Sequence, residues 1–478
     1  MEPLIGREEE AKRLKKALHS KGAELIAVYG RRRVGKTFLI RTIFQDHLAF
    51  EFSGVHAATM KEQLLNFSFA LKDAIKSPVD LAVPANWVAA FQTLRNFLEP
   101  KIMTKKTVVF FDEFPWIHTQ KSNFLRAFDH FWNSWASKYP TLTVVICGSA
   151  ASWMLQHVLN NKGGLHNRVT LHLRILPFSL KEAAHYLESR KVKLNYYQLL
   201  QVYMALGGIP YYLKFIDKSE SAAQAIDRLF FARQAPMKGE FTNLYGALFD
   251  NPAHHEAVIR ALAKMSKGLS RTEIIAATSL STGGTVTKVL SELEESGFIT
   301  VYIPFEKTAN DAHFKLTDEY SLFYLKFLDK SRVTGSGTWV ALSESASYRS
   351  WTGYAFEAIC FKHIQQIKTA LGPIAYAEES VWRFVPPNGV KETGAQIDLL
   401  LDRRDDTINL CEIKFSKDPF IITKAYARDL EQKRTVFKEK TKTRKNVHLT
   451  LITTYGVVKN EYSKSLLQSD ITMEALFR

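Results

Sequence analysis

The sequence predicts an α/β chain: a parallel sheet with helices on its faces, then a helical region, then a second, smaller α/β unit. Three observations carry this. Apolar strand signals at 24–29, 49–54, 107–111, 142–147 and 169–174 alternate with helical stretches such as 61–75 and 86–98, the pattern of strands joined by crossover helices. Between the first strand signal and a helical stretch at 37–44 stands Gly30-Arg31-Arg32-Arg33-Val34-Gly35-Lys36-Thr37, a G-x-x-x-x-G-K-[ST] phosphate loop in its proper strand-to-helix context. Near the C-terminus, two apolar runs at 396–401 and 409–415 flank the polar turn 402–407 and carry acids and a lysine.

The loop's residue types follow from its chemistry. Gly30 and Gly35 permit backbone conformations in which successive N–H groups of the loop cradle phosphate oxygens at a helix N-terminus. Lys36 brings a point charge to the outer phosphates, and the Thr37 hydroxyl is placed to ligate the magnesium that accompanies ATP. The run 107–111 ends in Asp112-Glu113, as expected of a second parallel strand beside the loop. There Asp112 would hold magnesium and Glu113 would polarise the attacking water. The run 142–147 ends in Gly148-Ser149, and Ser149 fits two roles, a sensor of the terminal phosphate or a helix N-cap.

Composition sets the bounds. A chain of 478 residues, 46% hydrophobic and 23% charged, should fold into two to four globular domains. Its three cysteines, Cys147, Cys360 and Cys411, form no C-x-x-C pair, which excludes a zinc ribbon and favours a reducing compartment. No apolar run reaches the roughly 18 residues of a membrane span and the N-terminus lacks a signal-peptide pattern, so the expectation is a cytoplasmic protein without a membrane partner. The net charge of +16 favours an anionic partner. Residues 421–445 hold nine Lys or Arg against three acids, a run that suits either a solvated helix or a phosphate-facing surface.

From 179 to about 248 the pattern turns helical, as for a lid over the nucleotide, broken at Leu206-Gly207-Gly208-Ile209-Pro210-Tyr211. Here a family likeness emerges. Gly6-Arg7-Glu8, the phosphate loop, Asp112-Glu113, the stretch His166-Asn167-Arg168 with Leu171 to Ser179, and Gly208-Ile209-Pro210 together resemble the prokaryotic (archaeal-type) ATPases of the AAA-like STAND group over roughly residues 1–250. The resemblance implies that Gly208 and Pro210 report nucleotide state to downstream domains. It also offers Arg168 as a phosphate-sensing arginine, with a surface ion pair as the other reading.

Residues 254–316 read as three helices and a hairpin, a winged helix-turn-helix. Val286, Val289, Leu290 and Leu293 share one face of the third helix, whose exposed side has Lys288 against Glu292, Glu294 and Glu295. That acidity disfavours DNA reading and favours a protein partner or self-assembly. The aromatic stretch 320–328 reads as a docking helix within a linker at 318–347.

In the last region, a hairpin centred on residue 405 places Asp398 opposite Glu412, about 5 Å apart, and alternation puts Lys414 on the face of Glu412. Two acids to hold magnesium and a lysine to stabilise charge on phosphate are the ingredients of phosphodiester hydrolysis. The arrangement resembles the PD-(D/E)XK restriction-endonuclease-like fold, which implies Glu357 as an upstream acid and Gln432 as a polar helper on the following helix. In the ATPases named above this domain is a frequent C-terminal companion.

The expected organisation is therefore an ATPase domain with helical lid (1–250), a winged helix (251–317), a linker (318–347) and a nuclease-like domain (348–478). Its cofactors would be ATP and magnesium, and its effector substrate DNA. The rival expectation is an ATP-dependent assembly protein whose nuclease-like domain is an idle binding platform.

Overall fold

The structure, a computed structural model, describes residues 3–160, 165, 167–249, 251–281, 283–331, 335–372, 376–387, 389 and 392–478. The chain divides into two compact units, Met1–Pro177 with Glu295–Gly297, and Phe178–Glu294 with Phe298–Arg478.

The first unit is built on a five-stranded parallel sheet of β1 (Glu24–Tyr29), β2 (Leu48–Ser53), β3 (Thr107–Asp112), β4 (Leu142–Gly148) and β5 (Leu171–Arg174), in the order β2-β3-β4-β1-β5. Strands β3 and β4 are buried along their whole length, which is why they read as unbroken apolar runs. The helix Met60–Ile75 starts at a capping box, Thr59 taking the Glu62 N–H at 3.3 Å and Glu62 taking the Thr59 N–H at 2.7 Å. The helix Trp87–Ile102 runs four residues beyond its expected end. Pro100 lies in its last turn, and the burial of Ile102 holds the end in place. An aromatic core packs beneath, with Trp87 and Phe124 centroids 4.8 Å apart and Phe91 stacked on Phe131 at 5.0 Å.

The second unit opens with helices from Leu180 to Gly246. By sequence these belong with the nucleotide domain as a lid; in the fold they cluster with the C-terminal half. Specific contacts explain this. Leu180 N–H donates to His363 Nε2 at 3.0 Å, Tyr196 stacks on Phe477 at 4.2 Å, and Tyr197 stacks on Phe415 at 5.3 Å. Three helices, Pro252–Ala263, Arg271–Thr278 and Gly284–Glu295, follow with a small antiparallel sheet of β6 (Leu269–Ser270), β7 (Ile299–Tyr302) and β8 (His313–Leu316), ordered β6-β8-β7. Val286, Val289, Leu290 and Leu293 are buried, as their helical spacing demands. The segment expected as a linker contains the helix Glu319–Phe327, most of it buried.

The last part is a mixed sheet of β9 (Glu378–Phe384), β10 (Ala395–Asp402), β11 (Thr407–Lys414), β12 (Asn446–Thr453) and β13 (Leu467–Thr472), in the order β13-β12-β11-β10-β9. The helix Lys424–Thr441 joins the parallel strands β11 and β12. The helix Ala346–Lys362, which carries Glu357, precedes β9.

Candidate functional site

The parallel register decides what meets at the phosphate loop. Tyr29 pairs with Gly148 and Ser53 with Asp112, so Gly30, Asp112, Glu113 and Ser149 all leave the same C-terminal edge of the sheet, where open α/β folds bind ligands. Gly30 has φ 144°, and a Cβ there would lie 2.2 Å from the Ile175 carbonyl oxygen. Only glycine fits. Lys36, 6% exposed, donates from Nζ to the carbonyls of Gly30 at 2.9 Å and Arg31 at 3.0 Å, which fixes its charge on the loop. The Arg32 guanidinium lies over the Trp116 ring at 5.8 Å, Arg33 is left-handed at φ 70°, and buried Val34 gives its carbonyl to Arg7 Nη2 at 3.1 Å. Gly35, at φ 91°, opens the helix Lys36–Phe44 without any side-chain cap.

Thr37 Oγ1 donates to Asp112 Oδ2 at 2.7 Å, while Asp112 Oδ1 accepts the Glu113 N–H at 2.9 Å. Glu113 is itself left-handed, φ 45°, a conformation costly for a residue with a Cβ. Its Oε2 accepts the Ser149 hydroxyl at 2.8 Å and the Ser149 N–H at 3.2 Å. Of the two roles open to Ser149, the cap is excluded, because Ala150 precedes the helix Ala151–Met154. Buried Cys147 adjoins the same group; burial first, then the charge of Asp112, pushes its thiol well above the usual range.

One sequence assignment at this site changes, that of Arg168. His166 lies outside the described residues, but Arg168 does not: it is exposed in a turn three residues before Leu171, which pairs with Ile26. That is the N-terminal edge of the sheet, opposite the phosphate loop, so Arg168 is misplaced as a phosphate sensor. The arginine at the loop's edge is Arg174, which pairs with Tyr29. Gly208 and Pro210 lie in the second unit. There a Gly208 Cβ would stand 1.9 Å from the Phe178 carbonyl oxygen, and Pro210 starts the helix Pro210–Leu213. Both are placed by backbone geometry.

In the C-terminal sheet, Leu399 pairs with Cys411 and Leu400 with Leu410, which is the hairpin centred on 405. Lys414 Nζ lies 3.4 Å from Glu412 Oε2 and 3.9 Å from Asp398 Oδ2, so the two acids and the lysine do converge. Asp398 Oδ2 accepts the Ile413 N–H at 3.0 Å. Glu412 is 1% exposed. Burial first, and then neighbouring Asp398, push its carboxyl upward, against the pull of Lys414 and Lys433. Its Oε1 has no hydrogen-bond partner among the described residues. Glu357 is also raised by burial, with Lys315 of β8 opposing through a direct ion pair. Among the described residues no group of three or more His, Cys, Asp or Glu side chains is gathered to hold a metal.

Gln432 is exposed and does not reach this cluster. Its neighbour Lys433 does, with Nζ 2.9 Å from Glu412 Oε2, and the Tyr426 hydroxyl donates to the same oxygen at 3.4 Å. Helical phase explains the one-residue displacement. Leu430 and Phe437 are fully buried, and positions 426, 430, 433 and 437 fall on one face, so periodicity alone could have selected Lys433. Of the basic run around it, Lys433, Lys440 and Lys445 are ion-paired to Glu412, Glu392 and Asp402, which makes part of the run structural.

Against this geometry, residues 4–216 match the family model of an ATPase domain predominantly from Archaea. This part of the chain is of the archaeal ATPase type. An uncharacterised protein of Methanocaldococcus jannaschii is 24% identical over 440 residues, covering 90% of this chain and 91% of its own. The Walker-type ATPase of Pyrococcus abyssi is 16% identical, with a TM-score of 0.47 over 68% of this chain and 96% of that one. The ORC2 protein of Aeropyrum pernix is 14% identical, with a TM-score of 0.40 over 68% and 93%. No helix among the described residues is long and apolar enough to cross a membrane.

Proposed function

We propose that the chain is an ATP-hydrolysing switch of the STAND kind, coupled to a magnesium-dependent nuclease-like domain that acts on DNA. The observation that carries the first half is the linked set Thr37–Asp112 at 2.7 Å and Glu113–Ser149 at 2.8 Å beside the phosphate loop. Lys36 and the loop N–H groups would hold the outer phosphates of ATP, and Glu113, oriented by Ser149, would take a proton from the attacking water. Thr37 with Asp112, and Asp398 with Glu412 Oε1, are the residues that would hold magnesium, which needs only one or two carboxylates per site. When bound, the metal supplies charge neutralisation at phosphate oxygens and a more acidic water. The unpartnered, buried Glu412 Oε1 supports a cation beside it, since such an atom is costly to leave unpaired.

The coupling would run through the second unit. Tyr197, on a helix placed by sequence in the lid, stacks on Phe415, the residue after Lys414. Gly208 and Pro210 lie in the same helical region and would report nucleotide state to it. The test has two arms. Lys36→Ala should abolish ATP turnover, and unchanged hydrolysis would refute the site. Plasmid nicking with magnesium should be present in wild type and absent in Asp398→Ala.

A second reading rests on the ion pairs of Glu412 with Lys414 and Lys433, which already satisfy one of its oxygens. The nuclease-like domain would then be an idle binding platform, with ATP setting an assembly state. Size-exclusion profiles that shift with ATP, together with no nicking, would favour it.

A further inference from the structure

A cleft of about 670 Å³ lies within the second unit, between the helices Pro252–Ala263, Glu319–Phe327 and Ala346–Lys362. Arg260, Lys264, Lys326 and Lys330 bring four cations to its wall, against Asp329 and Glu357. Both acids are already neutralised, Asp329 by Arg260 at 2.7 Å and Glu357 by Lys315. Lys264, Lys326 and Lys330 are exposed, and none of them has an ion-pair partner among the described residues. Trp351, 3% exposed, also lines the cleft, and its indole N–H has no acceptor among the described residues. The cleft therefore carries positive charge in excess of what its own acids cancel. Glu357 also lines it, and besides burial and the Lys315 ion pair the charges of Asp398 and Lys414 act on the Glu357 carboxyl.

We propose that this cleft is a backbone-phosphate site for a single nucleic-acid strand, with Lys264, Lys326 and Lys330 contacting phosphates and directing the strand toward Asp398 and Glu412. The direction rests on the nuclease-like reading above; the binding itself does not. Three lysines spread along the wall, Lys264 at the end of the helix Pro252–Ala263, Lys326 in the last turn of the helix Glu319–Phe327 and Lys330 just beyond it, suit a repeating anion better than one compact ligand, and a groove of cations that follows a backbone is how single strands are held without sequence preference. The cleft lies between three helices and holds about 670 Å³, room for a short stretch of single strand, whose unpaired backbone can enter where a duplex can only lie across the rim.

The test measures anisotropy of a fluorescein-labelled 20-nucleotide strand with the full chain, in EDTA so that cleavage is off, over a series of salt concentrations. Lys264→Glu/Lys326→Glu/Lys330→Glu should bind at least ten-fold more weakly at 150 mM salt. Its log-affinity against log-salt slope should fall by about 2, three contacts at ~0.7 each. Lys12→Glu/Lys15→Glu/Lys16→Glu, an equal charge change on exposed residues of the helix Glu8–Leu18, should change binding far less. An unlabelled duplex of the same sequence, or a phosphorylated peptide of equal charge, should compete poorly. The proposal is overturned if the cleft variant keeps the wild-type affinity and slope, if the control variant loses as much, or if duplex or phosphopeptide displaces the strand as well as the strand itself. Normal binding without nicking in wild type would remove the nuclease reading and leave the cleft assignment standing.

Discussion

Gly208→Ala should destabilise the second unit severely, for a reason unrelated to nucleotide sensing. A Cβ at this position would sit 1.9 Å from the Phe178 carbonyl oxygen, where ordinary contact begins near 3.4 Å. The two backbones must separate by roughly 1.5 Å, an overpacking cost of about 1–3 kcal/mol. The Phe178 N–H bond to the Gly208 carbonyl, 2.6 Å long, would be lost, at about 1 kcal/mol. The same Phe178 carbonyl accepts the Tyr203 hydroxyl at 2.7 Å, and Tyr203 is 3% exposed. Stranding that hydroxyl adds about another 1 kcal/mol. The total of about 3–5 kcal/mol should lower the melting temperature of the second unit by roughly 6–10 °C, at about 2 °C per kcal/mol for a body of this size. Scanning calorimetry without nucleotide is the assay. Gly353→Ala is the control of opposite sign: its Cβ meets nothing within 4 Å inside the helix Ala346–Lys362, so alanine should stabilise by about 0.5–1 kcal/mol. A Gly208→Ala chain melting within 2 °C of wild type would refute the close-approach argument.

Three further outcomes are expected. Glu113→Gln should cut ATP turnover on the order of 100-fold or more while nucleotide binding persists, checked by phosphate release beside equilibrium dialysis. Lys433→Met should cost about 1–3 kcal/mol in urea unfolding, because buried Glu412 loses its 2.9 Å partner and keeps Lys414 at 3.4 Å; exposed Gln432→Ala should stay within about 0.5 kcal/mol. His363 supplies a pH dependence. Its Nε2 accepts the Leu180 N–H, so Nδ1 carries the proton toward the Ile359 carbonyl, and burial lowers its pKa from 6.5 to about 4. Between those values the unfolded chain binds a proton that the folded chain refuses, so stability falls as pH drops from 6.5 toward 4, by about 3 kcal/mol in all. His363→Gln should flatten that part of the stability profile relative to wild type; an unchanged slope would refute the assignment.

Much of the nucleotide site was legible because its signals are local. The loop's glycines, lysine and threonine are adjacent in sequence, and the buried strands β3 and β4 announce themselves as continuous apolar runs ending in Asp112-Glu113 and Gly148-Ser149. The hairpin that pairs Leu399 with Cys411 was equally readable, since a short turn leaves one register that buries one face.

Tertiary structure alone decided the rest, because each remaining feature joins residues far apart in the chain. Whether Ser149 caps a helix or grips Glu113 depends on β3 and β4 lying side by side. Strand direction, which no local pattern encodes, put Arg174 rather than Arg168 at the edge of the sheet from which the phosphate loop leaves. The helices after Phe178 look from their periodicity like any amphipathic lid. Only the partners that bury their apolar faces, His363, Phe415 and Phe477 among them, assign them to the C-terminal body, because periodicity states that a face must be covered and leaves open by what.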